Sequence, residues 1–311
     1  MFSSRMDLFF GVALLAALSL KGQVAQGPPK RTFTHDRDVQ TYSVFQEVPR
    51  WDWGLLVGIT ANHSNGPVIY AIDRDGRKEE TLFTFDDASL IHVIEVAASA
   101  SGEIAVVGSA YTGDGRGTTF LARISADRKS QIVTRVWPYC AMVVTFAPDG
   151  TVWTVGHLKD EDNTRVIALN VLKHFDSSGK ILGSTTISAK GTDTAEISYL
   201  HASRDRVGWF TRSNEYIEFS LDGSEIARYN GPDGATEREI SGVVLGEDNE
   251  VVAGWFGKGK AELVMLDRGT HRWIPVSLST GVPEWARVLG FDGATLVTTT
   301  ENGRMRRYHT K

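Results

Sequence analysis

The chain contains a single cysteine, Cys140, so an intramolecular disulfide is excluded and so is a lipid on a cysteine near the N-terminus. There is no excess of positive charge. Lys and Arg number 33 against 38 Asp and Glu, for a net charge of −5. Nucleic-acid binding rests on clustered cations, and the short basic stretch Arg304, Arg306, Arg307 does not supply them, so no nucleic-acid partner is expected. The sequence also has no G-x-S-x-G elbow, H-E-x-x-H, phosphate-binding glycine loop, dinucleotide fingerprint or C-x-x-C pair. Helical periodicity is missing after residue 27, and the one long apolar run, Leu8 to Leu20, spans only 13 residues. A membrane helix needs roughly 17–25.

That run is expected to be the core of a secretory signal. Arg5 precedes it, and the small residues Gly22 and Ala25 follow as cleavage positions. Residues 1–27 therefore read as a signal peptide and 28–311 as the mature domain, a monomer exported to the periplasm or the extracellular space, with no membrane span after removal of the signal.

What is present is a repeat. A turn pair followed by a β-rich run recurs as Trp53-Gly54 with LLVG, Ser101-Gly102 with EIAVVG, Asp149-Gly150 with TVWTVG, Arg204-Asp205 with RVGWF, Asp248-Asn249 with EVVAG and Asp292-Gly293 with ATLVT. The second turn residues are spaced by 48, 48, 55, 44 and 44, the period of a four-stranded propeller blade, about 40–50 residues. A second set of turns lies between them: Asp75-Gly76, Asp127-Arg128, Ser178-Gly179, Asp222-Gly223 and Arg268-Gly269. Gly, Asp and Asn there accommodate the positive φ of tight hairpins. The chain stops after the third strand of the sixth repeat, RMRRYHT, while a spare segment, Gln40 to Val48, precedes the first. The expected fold is all-β: one six-bladed β-propeller, four antiparallel strands per blade, the last blade closed by the N-terminal strand. The long 150-to-205 interval is expected to reflect extra residues around Lys159 to Arg165.

The motifs APDGTVWTVG and HFDSSGKIL resemble those of the broad NHL-like, lactonase-like and streptogramin-lyase-like class of six-bladed propellers. The resemblance covers roughly residues 40–311 and implies the fold. That class includes binding scaffolds as well as lactonases and lyases, and no metal-binding acid or catalytic histidine of the class maps onto a position of this chain.

Function on such a scaffold concentrates where the innermost strands begin and at the second-to-third-strand loops, which share one rim of the channel. The ligand-binding candidates are His63, His157, Trp51, Tyr111, Tyr139, Arg238 and Trp255. His63 and His157 follow the same landmark in blades one and three, and imidazole suits proton transfer and metal binding. The tryptophans suit either a ligand platform or packing between blades. His92 and Glu95, three apart, are expected on opposite faces of a strand. The run Asp160, Glu161, Asp162, Asn163 reads as a solvated loop, and Asn62-His63-Ser64 is a formal glycosylation acceptor. Two functions remain open. One is a non-catalytic exported propeller that binds a protein or small ligand at one channel rim. The alternative is a metal-assisted lyase or lactonase acting there. No cofactor is identified, and only the alternative calls for a divalent metal in the channel.

Overall fold

Each turn pair in the sequence marks the end of an innermost strand, and the structure, a computed structural model, builds six four-stranded blades around these turns. It describes residues 32–40, 49–60, 66–163, 165–188, 199–232, 239–246, 248–257, 260–281, 287–292, 295–299 and 304–310. The signal segment, His63 with Asn62 and Ser64, and Arg238 lie outside them. Every regular element among the described residues is a strand.

The closing strand is β1, Thr32–Gln40. Blade 1 comprises β2 Arg50–Asp52, β3 Leu55–Ile59, β4 Val68–Ile72 and β5 Lys78–Leu82. Blade 2 comprises β6 Leu90–Ala98, β7 Ile104–Tyr111, β8 Gly117–Ile124 and β9 Gln131–Arg135. In blade 3 these become β10 Tyr139–Phe146, β11 Val152–Lys159, β12 Val166–Phe175 and β13 Ile181–Thr186. Blade 4 holds β14 Tyr199–Ala202, β15 Arg206–Phe210, β16 Glu215–Ser220 and β17 Glu225–Asn230. Blade 5 holds β18 Glu239–Leu245, β19 Val251–Gly257, β20 Lys260–Asp267 and β21 Arg272–Pro275, followed by the short β22 Ser277–Leu278. Blade 6 has β23 Val288–Asp292, β24 Thr295–Thr299 and β25 Arg304–Thr310. Its sheet order is β22-β1-β25-β24-β23, so the N-terminal strand supplies the fourth strand of the last blade.

The identity of that strand corrects the sequence expectation. β1 is 32–40, upstream of the predicted Gln40 to Val48; only Gln40 is shared, and 41–48 lie outside the described residues. The polar stretch HDRDV forms a strand in which cross-strand charge pairs satisfy the side chains. Arg306 clamps Asp38 through Nε and Nη2 at 2.8 and 2.9 Å. The long third repeat is also explained differently. Six residues, 160–165, link β11 to β12, but twelve, 187–198, separate β13 from β14, so most of the surplus lies there.

The core consists of six apolar layers, one between each pair of neighbouring blades. Phe83, Phe120 and Ile104 pack between blades 1 and 2, and Phe146, Phe175 and Tyr139 belong to the layer between blades 2 and 3. Trp153 and Trp209 meet between blades 3 and 4. Tyr216 and Val251, then Phe33 and Leu296, fill the next two layers, and Trp51, Tyr70 and Met305 join blade 6 to blade 1. Burial of apolar surface at every junction provides the main stabilisation of a ring without disulfides. The outermost strands are polar and exposed by contrast, as in KEETL of β5.

The repeated small residue after the second strand's apolar run has a packing cause. In blades 2 and 3 a bulge in the innermost strand, between Val93 and Glu95 and between Ala141 and Val143, accompanies the close approach of a backbone carbonyl to the second strand. A Cβ on Gly108 would strike the His92 carbonyl oxygen, and one on Gly156 the Cys140 carbonyl oxygen. In blades 1 and 4 the hydroxyls of Tyr70 and Tyr216 occupy the equivalent space over Gly58 and Gly208.

Candidate functional site

Innermost strands run from a front face, which carries the second-to-third-strand loops, to a back face, which carries the other turns. Between the two lies the channel, and its centre is filled by one side chain. Arg50, at the start of β2, reaches across the ring from blade 1. Its Nη1 donates to Val144 O of blade 3 at 2.6 Å, and its Nη2 donates to Leu200 O and His201 Nδ1 of blade 4 at 3.1 and 3.3 Å. Asp52 Oδ1 accepts from Nη2 at 3.0 Å, and its Oδ2 forms an ion pair with Nε at 2.6 Å. Glu95 Oε1 of blade 2 lies 3.3 Å from Nη1.

The two carboxylates are committed on their other sides too. Asp52 Oδ2 accepts the Ala98 N–H at 3.1 Å, and Glu95 Oε2 accepts the Val144 N–H at 2.7 Å. Burial pushes Glu95 up to about 7, with Arg50 opposing. Burial and then the Arg50 charge hold His201 well below the ordinary imidazole range. A neutral His201 with its proton on Nε2 leaves Nδ1 free to accept from Arg50, consistent with the geometry. A hydrogen-bonded ionic cluster thus joins the inner strands of blades 1 to 4 across the channel. Behind it, at the back face, a cavity of about 20 Å³ between Thr145, His201, Phe291 and Asp292 has room for about one water.

The register explains why Glu95 escapes a reading of the sequence. His92 opposes Ser109 and Glu95 opposes Val107, two residues apart, so the bulge puts both on one face of β6. The expectation of opposite faces assumed an unbroken pleat. The two still do not cooperate: His92 is exposed, whereas Glu95 is turned to Val144. Asp52 reads in sequence as part of the Trp53-Gly54 turn, and nothing in the spacing indicates that its partner crosses the ring.

The sequence candidates separate into core and rim. Trp51 is 2% exposed in the layer between blades 6 and 1 and Tyr139 is fully buried between blades 2 and 3, which corrects their reading as rim residues. The Tyr139 hydroxyl donates to Val171 O at 3.1 Å and lies 2.8 Å from the Thr154 hydroxyl, and Lys173 Nζ sits 4.4 Å from its ring centre. His157 is half-buried on β11 opposite Cys140, and burial, then the Lys159 charge, lowers its pKa. Trp255 sits on β19 between Ile240 and Glu262 in register. The acidic run closes on itself as a hairpin turn: Lys159 Nζ donates to Asn163 Oδ1 at 2.8 Å, and the Arg165 N–H donates to Asp160 at 3.2 Å.

Tyr111 stands open. It ends β7 on the front face, 41% exposed, opposite the more open Leu90 at the start of β6. Its ring lies over Gly117, where a Cβ would collide with it. It borders a groove of about 420 Å³ formed by the loop before β6 and the β7–β8 loop. Phe85 lines the floor with Arg135 5.0 Å from its ring centre, and Arg116 and Asp114, paired at 3.2 Å, stand at the edge. The groove therefore offers an aromatic face, an apolar floor and charges of both signs, which suits recognition of a ligand by shape and polarity together.

No protein-family model matches the chain, and no curated protein matches it. Solved structures similar to it are β-propellers. The β-propeller domain of Cps50 (Swd1) from Myceliophteria thermophila is 9% identical with a TM-score of 0.53, over 90% of this chain and all of that one. The β-propeller domain of the trilobed protease from Pyrococcus furiosus, with its open velcro topology, is 12% identical at a TM-score of 0.50, over 86% of this chain and 94% of its own. A luciferin-regenerating enzyme is 14% identical at a TM-score of 0.50, over 87% and 92%. At these identities the likeness is one of fold, and the chain is a six-bladed β-propeller.

Proposed function

We propose that this propeller is an exported, monomeric binding protein that captures a protein or small-molecule ligand at the front rim of blade 2, without catalysing a reaction. The observation that carries this reading is the open groove beside the exposed Tyr111 ring. A metal-assisted lyase or lactonase in the channel would draw on the channel carboxylates. Asp52 and Glu95 are instead turned onto Arg50 and onto backbone N–H groups, which favours binding at the rim.

The test is a crystal soak with small aromatic and aromatic-carboxylate fragments, repeated on Tyr111→Ala. Fragments are expected in the groove of the wild type and absent from the variant, whose melting temperature stays unchanged because an exposed rim side chain supports little of the core. Fragments bound only elsewhere on the propeller, or bound equally by the variant, would overturn the rim reading.

A further inference from the structure

The seam where the ring closes carries an excess of cations. Arg37 on β1 and Arg307 on β25 are directly opposite in the antiparallel register, a like-charge pairing that is unfavourable unless compensated. Both converge on one acceptor, the carbonyl of Arg74 in the β4–β5 turn of blade 1, from Arg37 Nη2 at 2.9 Å and Arg307 Nη1 at 3.5 Å. That brings three arginines to one place.

The neighbouring carboxylates face Arg74, Arg37 and His309 rather than Arg307. Asp292 pairs with Arg74, and Asp36 lies 3.2 Å from His309 Nε2 and 3.8 Å from Arg37 Nε. Arg307 is 7% exposed, stacks 5.9 Å from the Trp51 ring centre, and its Nε has no hydrogen-bond partner among the described residues. Among the described residues no carboxylate is in contact with its buried charge, an arrangement that costs stability. Burial, then the charge of Arg37, lowers its pKa, with Asp36 and Asp292 opposing in part. Arg37 and Arg74 are about half-exposed and form a mouth above it.

We propose that this seam is a binding site for a small free oxyanion of the phosphate or sulfate class, held between Arg37 and Arg307 in front of Arg74. A tetrahedral dianion matches the requirement, since several oxygens can accept from two guanidinium forks at once and its charge relieves the repulsion between them. The bound anion would tie β1 to β25 and both to blade 1, so occupancy strengthens ring closure. The site is separate from the Tyr111 groove and does not depend on it.

Thermal unfolding of the full chain tests this, with inorganic phosphate compared against sodium chloride at equal ionic strength, alongside calorimetric titration with phosphate. The wild type is expected to gain about 2–4 °C at a phosphate concentration tenfold above Kd, the shift that mass action gives a domain of this size. Arg307→Gln should lose most of that gain. Arg37→Gln, at a half-exposed position where folding is not at stake, should lose much of it and weaken the calorimetric affinity at least fivefold. Equal stabilisation by chloride, or an undiminished phosphate shift and affinity in Arg37→Gln, would show that the arginines serve only to pin the seam and would overturn the proposal.

Discussion

Arg50 of blade 1 donates a hydrogen bond to Nδ1 of His201 in blade 4 at 3.3 Å, so a single guanidinium joins opposite walls of the channel. A side chain in that position binds the inner strands of blades 1, 3 and 4 to a common centre, and the cost of its desolvation is offset by Asp52, Glu95 and two backbone carbonyls.

Removal of Arg50 strands the other charges. In Arg50→Met the buried Asp52 loses its only guanidinium and Val144 O and Leu200 O lose their donor. The expected loss is about 3–5 kcal/mol of unfolding free energy, the range for breaking a buried pair from one side. Urea unfolding at neutral pH measures it.

Glu95 makes stability depend on pH with an unusual sign. Its carboxyl is raised from 4.5 to about 7 in the folded state, by burial first, with Arg50 opposing. The folded protein therefore holds this proton more tightly than the unfolded chain, and the associated stability is complete below about pH 4.5 and is lost as pH rises to 7. His201, lowered by burial and by Arg50, acts in the opposite sense, with stability present above its unfolded pKa and lost as pH falls. The comparison with Glu95→Gln isolates the glutamate. Wild type minus variant should fall by about 1–3 kcal/mol between pH 5 and pH 8, read from urea midpoints. A difference that is constant across that range would mean that Glu95 stays ionised throughout.

Closure of the ring rests on β1, so deletion of residues 28–40 should expose the long edge of β25 and lead to aggregation or a large fall in melting temperature. A finer probe is Asp38, lowered to about 2 chiefly by its bond to Arg306. A depressed carboxyl contributes stability above its unfolded pKa and loses it as pH falls through the folded one. Asp38→Asn is therefore expected to cost about 1 kcal/mol at pH 7, after allowance for partial exposure, and progressively less as pH falls from about 4 through about 2. A variant as stable as wild type at pH 7 would show the pair to be a surface contact without energetic weight.

Much of the architecture is legible in residues that the backbone itself requires. Gly102 and Gly150 adopt φ of 88° and 81° and Asn249 64°, and these turn residues recur because few others fit, so the blade period could be counted from them. The closing strand was harder to place, because β1 is stabilised by charges such as Asp38–Arg306 across the sheet rather than by an apolar pattern. The channel cluster was hidden for a related reason: Arg50, Glu95 and His201 come from three different blades, and their meeting depends on ring geometry and on a bulge that shifts Glu95 to another face. Tyr111 was accessible to positional reasoning because a loop residue at a blade tip stays at the tip. Trp51 and Tyr139, at the starts of innermost strands, turn inward instead to fill the layers between blades.

The same backbone logic yields the sharpest substitution. Gly156 on β11 lies against the Cys140 carbonyl oxygen beside the β10 bulge, and a methyl group there would meet backbone atoms of Cys140 and Ala141, which cannot rotate away as a side chain could. Gly156→Ala must push β10 from β11 at the channel wall, close to where Val144 serves both Arg50 and Glu95. The expected cost is at or above the upper end of the roughly 1–3 kcal/mol typical of overpacking. Gly113→Ala is the matched control, since a Cβ there meets nothing within 4 Å. It should unfold within about 0.5 kcal/mol of wild type, as surface substitutions do. Urea midpoints that coincide for the two variants would mean that Gly156 is kept for some reason other than the carbonyl pressed against it.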